Sequence, residues 1–379
     1  MYMSKANYKN EMTKREFFSF LKNSEQFSPD SIICFEKALL FWEDFTKMDD
    51  FLSFDDKKAI AFRDWLKSKN RKGSENPISL SYCYDTLRRL RKFFEWLAQQ
   101  PKSKINSTHT SFLNLSRKES QIATRARKVD VPALGEVVKV LESINGETEV
   151  EKRDRALIAF TLLTGARISA IVSLRMKHFD RRRLVIEQDP ASGVKTKFSK
   201  QIITVLFPLP DEKPLAYFLE WFDYLDQARK FSPNDPIFPT TKLEQGKESI
   251  SYYSSGNVEP LFWSNASPAR KIFEKRFKGA DIPYYHPHTL RHLIVKEFIK
   301  TRLTEEEKKA ISQNLGHEDV GTTFGSYGYG KISTDRQTEL VRSIRFGLPE
   351  TEQIFEGMSD ASIKKLAKIL KKELSEPEK

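Results

Sequence analysis

Helical periodicity dominates this 379-residue chain, and β-type sequence interrupts it at one place. The interruption is RRLVIEQ followed by KQIITVLFPL, on either side of the turn-like DPASGVKTKFS, which predicts a hairpin or small sheet. Elsewhere apolar residues recur three and four apart. Phe35, Leu39, Trp42 and Phe45 do so in SIICFEKALLFWEDF, and Leu87, Leu90, Phe94 and Leu97 in SLSYCYDTLRRLRKFFEWLAQQ. The expected fold class is mainly α with a small β-sheet, an α+β architecture. The length suggests two to three domains and suffices to bury a core without disulfide or metal staples.

Changes in pattern divide the chain. Residues 1–105 read as a helical N-terminal domain and residues 106–130 as a basic linker. The linker reading rests on weak periodicity, much Ser, Thr and Asn, and seven Lys or Arg against two acids over residues 101–130. Residues 131–345 form the second expected domain. Pro132 opens a helix with Leu134, Val137, Leu141 and Ile144 on one face. RDRALIAFTLL precedes Thr164-Gly165, and the short helix ARISAIVSLRM follows. PLAYFLEWFDYLDQ is helical, and residues 230–260, rich in Pro, Gly, Ser and Tyr, read as a loop. Pro287 marks a helix start, so His288 and Arg291 share a face of the first turn. Thr304 and Glu307 have capping-box spacing, and Gly316 suits the C′ position, with His317 just beyond the helix end. Thr334 and Gln337 suggest another capping box. Residues 346–379 read as a tail with an amphipathic helix displaying Ile363, Leu366, Ile369 and Leu370.

Lys plus Arg number 64 against 52 acidic residues, a net charge of +12, which points to a polyanionic partner, most simply nucleic acid. Arg88, Arg91 and Lys92 fall on one face of their helix, and Arg125, Arg127 and Lys128 cluster in the expected linker. Both groups could follow a phosphate backbone. Cys34 and Cys83 are the only cysteines, too few for a disulfide scaffold or a cysteine-based zinc site. No apolar run approaches the roughly 18 residues of a membrane span, and the N-terminus lacks a signal-peptide core. The expectation is a cytoplasmic, DNA-associated protein. No zinc pattern, P-loop or paired-carboxylate nuclease signature is present, so no metal site is expected.

Four features stand in order: Arg167 in TGARISAIVSL, His288 and Arg291 in HPHTLRHL, His317 in LGHEDVGTTFGSYG, and Tyr327 ten residues later. In these stretches, and in LRRLRKFFEWL, the chain resembles the tyrosine recombinases, the phage-type integrases, over roughly residues 25–345. The resemblance implies a site-specific DNA recombinase with a helical core-binding domain and a mixed, mainly helical catalytic domain. It implies a clamp around duplex DNA and a homotetramer on two DNA sites. Cleavage would pass through a 3′-phosphotyrosine and a free 5′-hydroxyl, with no metal, ATP or other cofactor.

The chemistry asks for these residue types independently. Metal-free phosphodiester cleavage needs a nucleophile, a proton donor for the leaving oxygen and positive charge for the transition state. Guanidiniums grip phosphate oxygens bidentately, and imidazoles move protons near neutral pH. By resemblance, Arg167 and Arg291 would bind the scissile phosphate, and His288 would be the acid/base. His317 would hydrogen-bond a non-bridging oxygen, and Tyr327, ahead of its rival Tyr329, would attack phosphorus. The family's general acid is a hairpin lysine. Lys195, Lys197 and Lys200 all lie there, and Lys197 is favoured by its place in the turn. One position departs from the family pattern, since Ala170 stands where an acid usually follows the first arginine. Two alternatives are a topoisomerase of type IB character and a non-catalytic DNA-binding protein on the same scaffold.

Overall fold

The computed structural model describes residues 7–71, 73–101, 103–125, 129–245, 252–301 and 303–329. The expected tail over 346–379 and the Thr334–Gln337 capping box lie outside the described residues, as do Arg127 and Lys128. The chain divides into two compact units, Met1–Arg127 and Lys128–Lys379.

The first unit is helical: α1 Tyr8–Asn23, α2 Pro29–Thr46, α3 Asp56–Ser68, α4 Leu80–Ala98 and α5 Arg117–Thr124. Side-chain oxygens of Asn7, Ser28, Asp55, Ser79 and Ser116 accept from the first turns of these helices and fix where each begins. The core is aromatic. Phe17, Trp42, Phe62, Phe93 and Phe94 are fully buried, and Phe54 stacks on Phe94 at 3.9 Å. The stripe Leu87, Leu90, Phe94 and Leu97 faces this core.

The segment expected as a linker is folded through Thr124. A 3₁₀ stretch, Ser107–Leu113, and α5 pack on α4, burying Leu113, Leu115 and Ala123. Its apolar residues follow neither a helical nor a strand period, which hid it. The signal that was available is the capping box Ser116/Glu119. Ser116 holds the Glu119 carboxylate down to about 2, and Lys67 reaches it at 3.2 Å.

The second unit contains α6 Leu134–Glu142, α7 Glu149–Thr164, α8 Ile168–Ile171, α9 Lys213–Asp223, α10 Ser267–Gly279, α11 His288–Ile299 and α12 Glu305–Asn314. From Ala156 onward every residue of α7 is buried, which makes it the axis of this unit. β1 Phe179–Asp180, β2 Val185–Gln188 and β3 Ile202–Val205 form an antiparallel sheet in that order, with Gln188 opposite Ile202. The expected hairpin is therefore present.

The region 230–260, expected as a loop, contains a second antiparallel hairpin, β4 Thr240–Gln245 with β5 Tyr252–Glu259. Its Ser- and Gly-rich composition masks the strands, and contacts from α7 hold them. Arg153 donates to the Pro239 carbonyl at 3.1 Å and to Thr241 Oγ1 at 2.8 Å, and Glu149 accepts from the Val258 N–H at 2.7 Å. The buried Arg153 is neutralised by Asp154, which also pairs with Arg276 of α10 at 2.8 Å.

Candidate active site

The site is assembled where three chain reversals meet. At the end of α7, Gly165 adopts the left-handed conformation (φ 57°) that a side chain resists. A Cβ there would lie 2.8 Å from Leu315 Cδ2. The turn aims the Gly165 carbonyl at α11 and leads into Arg167, which precedes α8. At the end of α12, Gly316 (φ 71°) closes a Schellman turn. Its N–H bonds the Gln313 carbonyl at 2.8 Å, and the His317 N–H bonds the Ser312 carbonyl at 2.9 Å. The third reversal is the loop between β2 and β3, where Phe198 and Ser199 both carry positive φ.

The His317 turn is fastened to β3. The Asn314 side chain accepts from the Val205 N–H at 2.7 Å and donates to the Val205 carbonyl at 2.9 Å, as a neighbouring strand would. Thr204 Oγ1 donates to the Asn314 carbonyl at 2.9 Å. Ala170, the departure from the family pattern, is buried in the core of α8. Its carbonyl accepts from Ser173 Oγ at 2.8 Å, and the same hydroxyl accepts from the Lys195 N–H at 2.9 Å. α8 thus anchors the base of the lysine loop.

Arg291 lies at the centre and is only 2% exposed. It donates to the Gly165 carbonyl at 2.8 Å and to the Leu315 carbonyl, and its Nη2 lies 2.6 Å from His317 Nε2. His317, 7% exposed, has Nδ1 at 2.7 Å from Thr323 Oγ1. His288 opens α11 with its ring 5.5 Å from that of His292, edge to face. Burial first, then Arg291, lowers both imidazoles: His288 to about 4 and His317 to about 3. Arg167 adds to both shifts. Both rings are therefore neutral at pH 7.

Arg167, Lys197, Lys200, His317, Glu318 and Thr322 line one cleft of about 270 Å³. Among the described residues the Arg167 side chain has no ion-pair or hydrogen-bond partner, while its carbonyl accepts from the Ala170 and Ile171 N–H groups. Lys200 is paired with Glu318. The Lys197 Nζ lies over the ring of Phe198 at 4.7 Å and makes no ion pair among the described residues. Lys195 is exposed and does not line the cleft. Tyr327 lies on the π-helical turn Thr322–Tyr329, which packs on α11. The side chains of Tyr327 and Tyr329 lie outside the described residues. Sequence reasoning missed Thr323, Ser312, Asn314 and Glu318. The only signal for Thr323 was its place between His317 and Tyr327.

In the first unit, Arg88, Arg91 and Lys92 rim a groove of about 640 Å³ between α2 and α4. Arg91 pairs with Glu95 at 2.7 Å and reaches Asn114 Oδ1 at 3.3 Å. Lys92 pairs with Glu25 at 3.0 Å. Arg88 and Arg91 also border a second groove with Arg117. Arg125 is exposed at the end of α5.

Among known proteins, residues 134–329, just over half of the chain, match the Phage integrase family. The chain belongs to that family, as an enzyme of site-specific DNA recombination. Tyrosine recombinase XerC of Lactobacillus delbrueckii subsp. bulgaricus is 25% identical over 318 residues, covering 82% of this chain and 92% of the relative. Tyrosine recombinase XerD of Vibrio cholerae is 25% identical over 296 residues, 77% of this chain and 80% of the relative. Among solved structures, a lambda integrase dimer bound to a COC′ core site aligns with a TM-score of 0.55 at 12% identity, covering 86% of this chain and 80% of that one. The Tn1549 transposon integrase in complex with transposon right end DNA aligns with the same TM-score at 15% identity, covering 87% and 98%. The shared fold is mostly helical with small antiparallel sheets.

Proposed function

We propose that the protein cuts and rejoins duplex DNA at a specific site through a 3′-phosphotyrosine on Tyr327, without metal or ATP. The observation that carries this reading is the convergence of Arg167, Arg291, His317 and Lys197 on the turn that bears Tyr327. In this reading the two guanidiniums balance the charge of the pentavalent transition state. Neutral His288 accepts the tyrosine proton, which its low pKa permits at pH 7. Tyr327 Oη bonds to phosphorus as the 5′-oxygen leaves, and Lys197 gives that oxygen its proton. The phosphotyrosine bond keeps the energy of the broken linkage, so rejoining needs no ATP.

Lys197, which makes no ion pair among the described residues, fits the general acid better than Lys200, whose charge is engaged by Glu318. The first unit supplies DNA contacts through Arg88, Arg91, Lys92 and Arg125, and the interdomain Arg127 and Lys128 continue them. Four copies act on two DNA sites. The lambda integrase tetramer bound to a Holliday junction, a solved relative of the same fold, supports that assembly.

The deciding experiment uses a nicked duplex that traps the adduct, in excess chelator and without nucleotide. The protein should form a covalent DNA adduct, and Tyr327→Phe should abolish it with DNA binding unchanged. An adduct mapped to Tyr329, or cleavage that requires magnesium, would overturn the reading.

A further inference from the structure

Phe198 stands in the loop between β2 and β3, and it lines the cleft with Arg167, Lys197 and Lys200. It is 77% exposed, against 39% for Phe112 and Phe262, the next most exposed phenylalanines among the described residues. A single exposed apolar side chain is ordinary. The backbone beneath this one is not. Phe198 has φ 60° and ψ 26°, and Ser199 follows with φ 50°. A bulky residue resists this left-handed region, because its Cβ crowds the following carbonyl. Glycine would make the turn without that cost, and the chain carries a phenylalanine there instead. Two cations lie near the ring, Lys197 Nζ at 4.7 Å and Lys200 Nζ at 5.9 Å from its centre. At a solvated surface such contacts are weak and offset only part of the backbone cost. A strained, exposed aromatic at the mouth of a cationic cleft has its ring held ready for a flat partner.

We propose that Phe198 is a DNA-stacking residue, whose ring packs on a base flanking the scissile phosphate and opens the duplex at that step. The cations beside it are those that would grip the phosphate, and a nucleobase is joined to its phosphate through one sugar. The flanking base is therefore the flat surface within reach. Every base has a π-face, so the contact itself is open to any sequence. An apolar side chain inserted at a base step partly unstacks and bends the duplex. Pyrimidine–purine steps yield most easily to this, so Phe198 gives the site a preference for such a step next to the phosphate. Stacking also covers a ring that is otherwise left in water. Which phosphate the base flanks rests on the proposed function, and the stacking does not.

The test uses the full chain and the nicked duplex that traps the adduct, with the fluorescent base 2-aminopurine placed in turn at each position. Its emission rises when it leaves the base stack, and it should rise at a position flanking the mapped cleavage site. Phe198→Gly removes the ring and suits the left-handed turn, so thermal stability should not fall. It should abolish the rise and erase the preference for a pyrimidine–purine step. It should also slow cleavage of saturating duplex by about tenfold or more, as expected for one lost base–aromatic stack. Phe198→Tyr should keep the rate and the preference. The defect of Phe198→Gly should persist on a bridging 5′-phosphorothiolate, whose sulfur leaves without a proton, because a placed phosphate is needed with either leaving group. Recovery on that substrate would mean that the ring serves only to hold Lys197, and would overturn the proposal. So would a rise or a rate that Phe198→Gly leaves unchanged, or a Phe198→Tyr as slow as Phe198→Gly. If the unsubstituted protein forms no adduct, the functional reading falls. A rise that depends on Phe198 would then still support the stacking, and its absence at every position would overturn it.

Discussion

The α4 cations Arg91 and Lys92 and the buried Arg291 of the second unit differ in their surroundings. On α4, Arg91 and Lys92 face carboxylates, Glu95 and Glu25, and all four side chains are about a third or more exposed. Arg291 is 2% exposed, donates to the Gly165 and Leu315 carbonyls and lies against the His317 imidazole. A surface cation paired with an acid is screened by salt and contributes little through its pair. A buried cation sits in a poorly screened site, and the two histidines beside it are lowered by burial first and by Arg291 second. The first arrangement suits affinity for a backbone. The second suits charge that develops in a reaction.

The contrast is broken most directly at the arginines. Arg167→Ala or Arg291→Ala should slow cleavage by about a thousandfold or more, the effect of removing a transition-state charge donor, with DNA affinity little changed. Arg291→Lys checks that folding is intact while the fork is lost. Single-turnover cleavage within about tenfold of the unsubstituted protein would place the reacting charge elsewhere.

The next effect separates the hairpin lysines. Lys197→Ala should be slow by on the order of a hundredfold on ordinary DNA, typical of a lost general acid, and recover on a bridging 5′-phosphorothiolate, whose sulfur leaves unprotonated. Lys195→Ala and Lys200→Ala should show smaller defects and no recovery. Recovery in either of those would move the acid to that position.

Substitution on α4 should read out differently. Arg88→Ala should weaken DNA binding evenly across sequences and reduce the salt slope by about one, as expected for one phosphate contact. Cleavage at saturating DNA should be unchanged. A sequence-specific loss would make Arg88 a base reader instead.

The smallest effect is in acid stability. The folded pKa of His317 lies below its ordinary value, so the unfolded chain binds protons first. Its destabilisation therefore begins as pH falls below about 6.5 and grows until about 3. Glu119 is also lowered, to about 2, and its contribution persists until pH falls below the ordinary carboxylate value near 4.5. Thermal unfolding between pH 6.5 and 5 should show a smaller loss of Tm in His317→Gln than in the unsubstituted protein. Glu119→Gln should leave that interval unchanged. Equal slopes for all three proteins would show that His317 is protonated in the folded state.

Local grammar made much of the site legible. Pro287 opens α11 and sets His288 and Arg291 on its first turn, and Gly316 ends α12 and sets His317 just past it. The amphipathic stripe of α4 and the hairpin around DPASGVKTKFS were readable for the same reason, because short-range sterics and periodicity determine them. Where residues 107–124 and 240–259 lie was not readable, since their order comes from distant partners such as Lys67, Arg153 and Glu149.

By itself, the sequence determined which chemical groups are present, their order along the chain and the helix ends that carry them. Only the tertiary structure decided how those groups use one another. Arg291 meets the carbonyl of a residue 126 positions away and the imidazole of one 26 positions away. Glu318 engages Lys200 and leaves Lys197 to the cleft. The physical reason is that a buried donor must find an acceptor wherever packing offers one. Partnership of that kind belongs to the folded core and has no period along the chain.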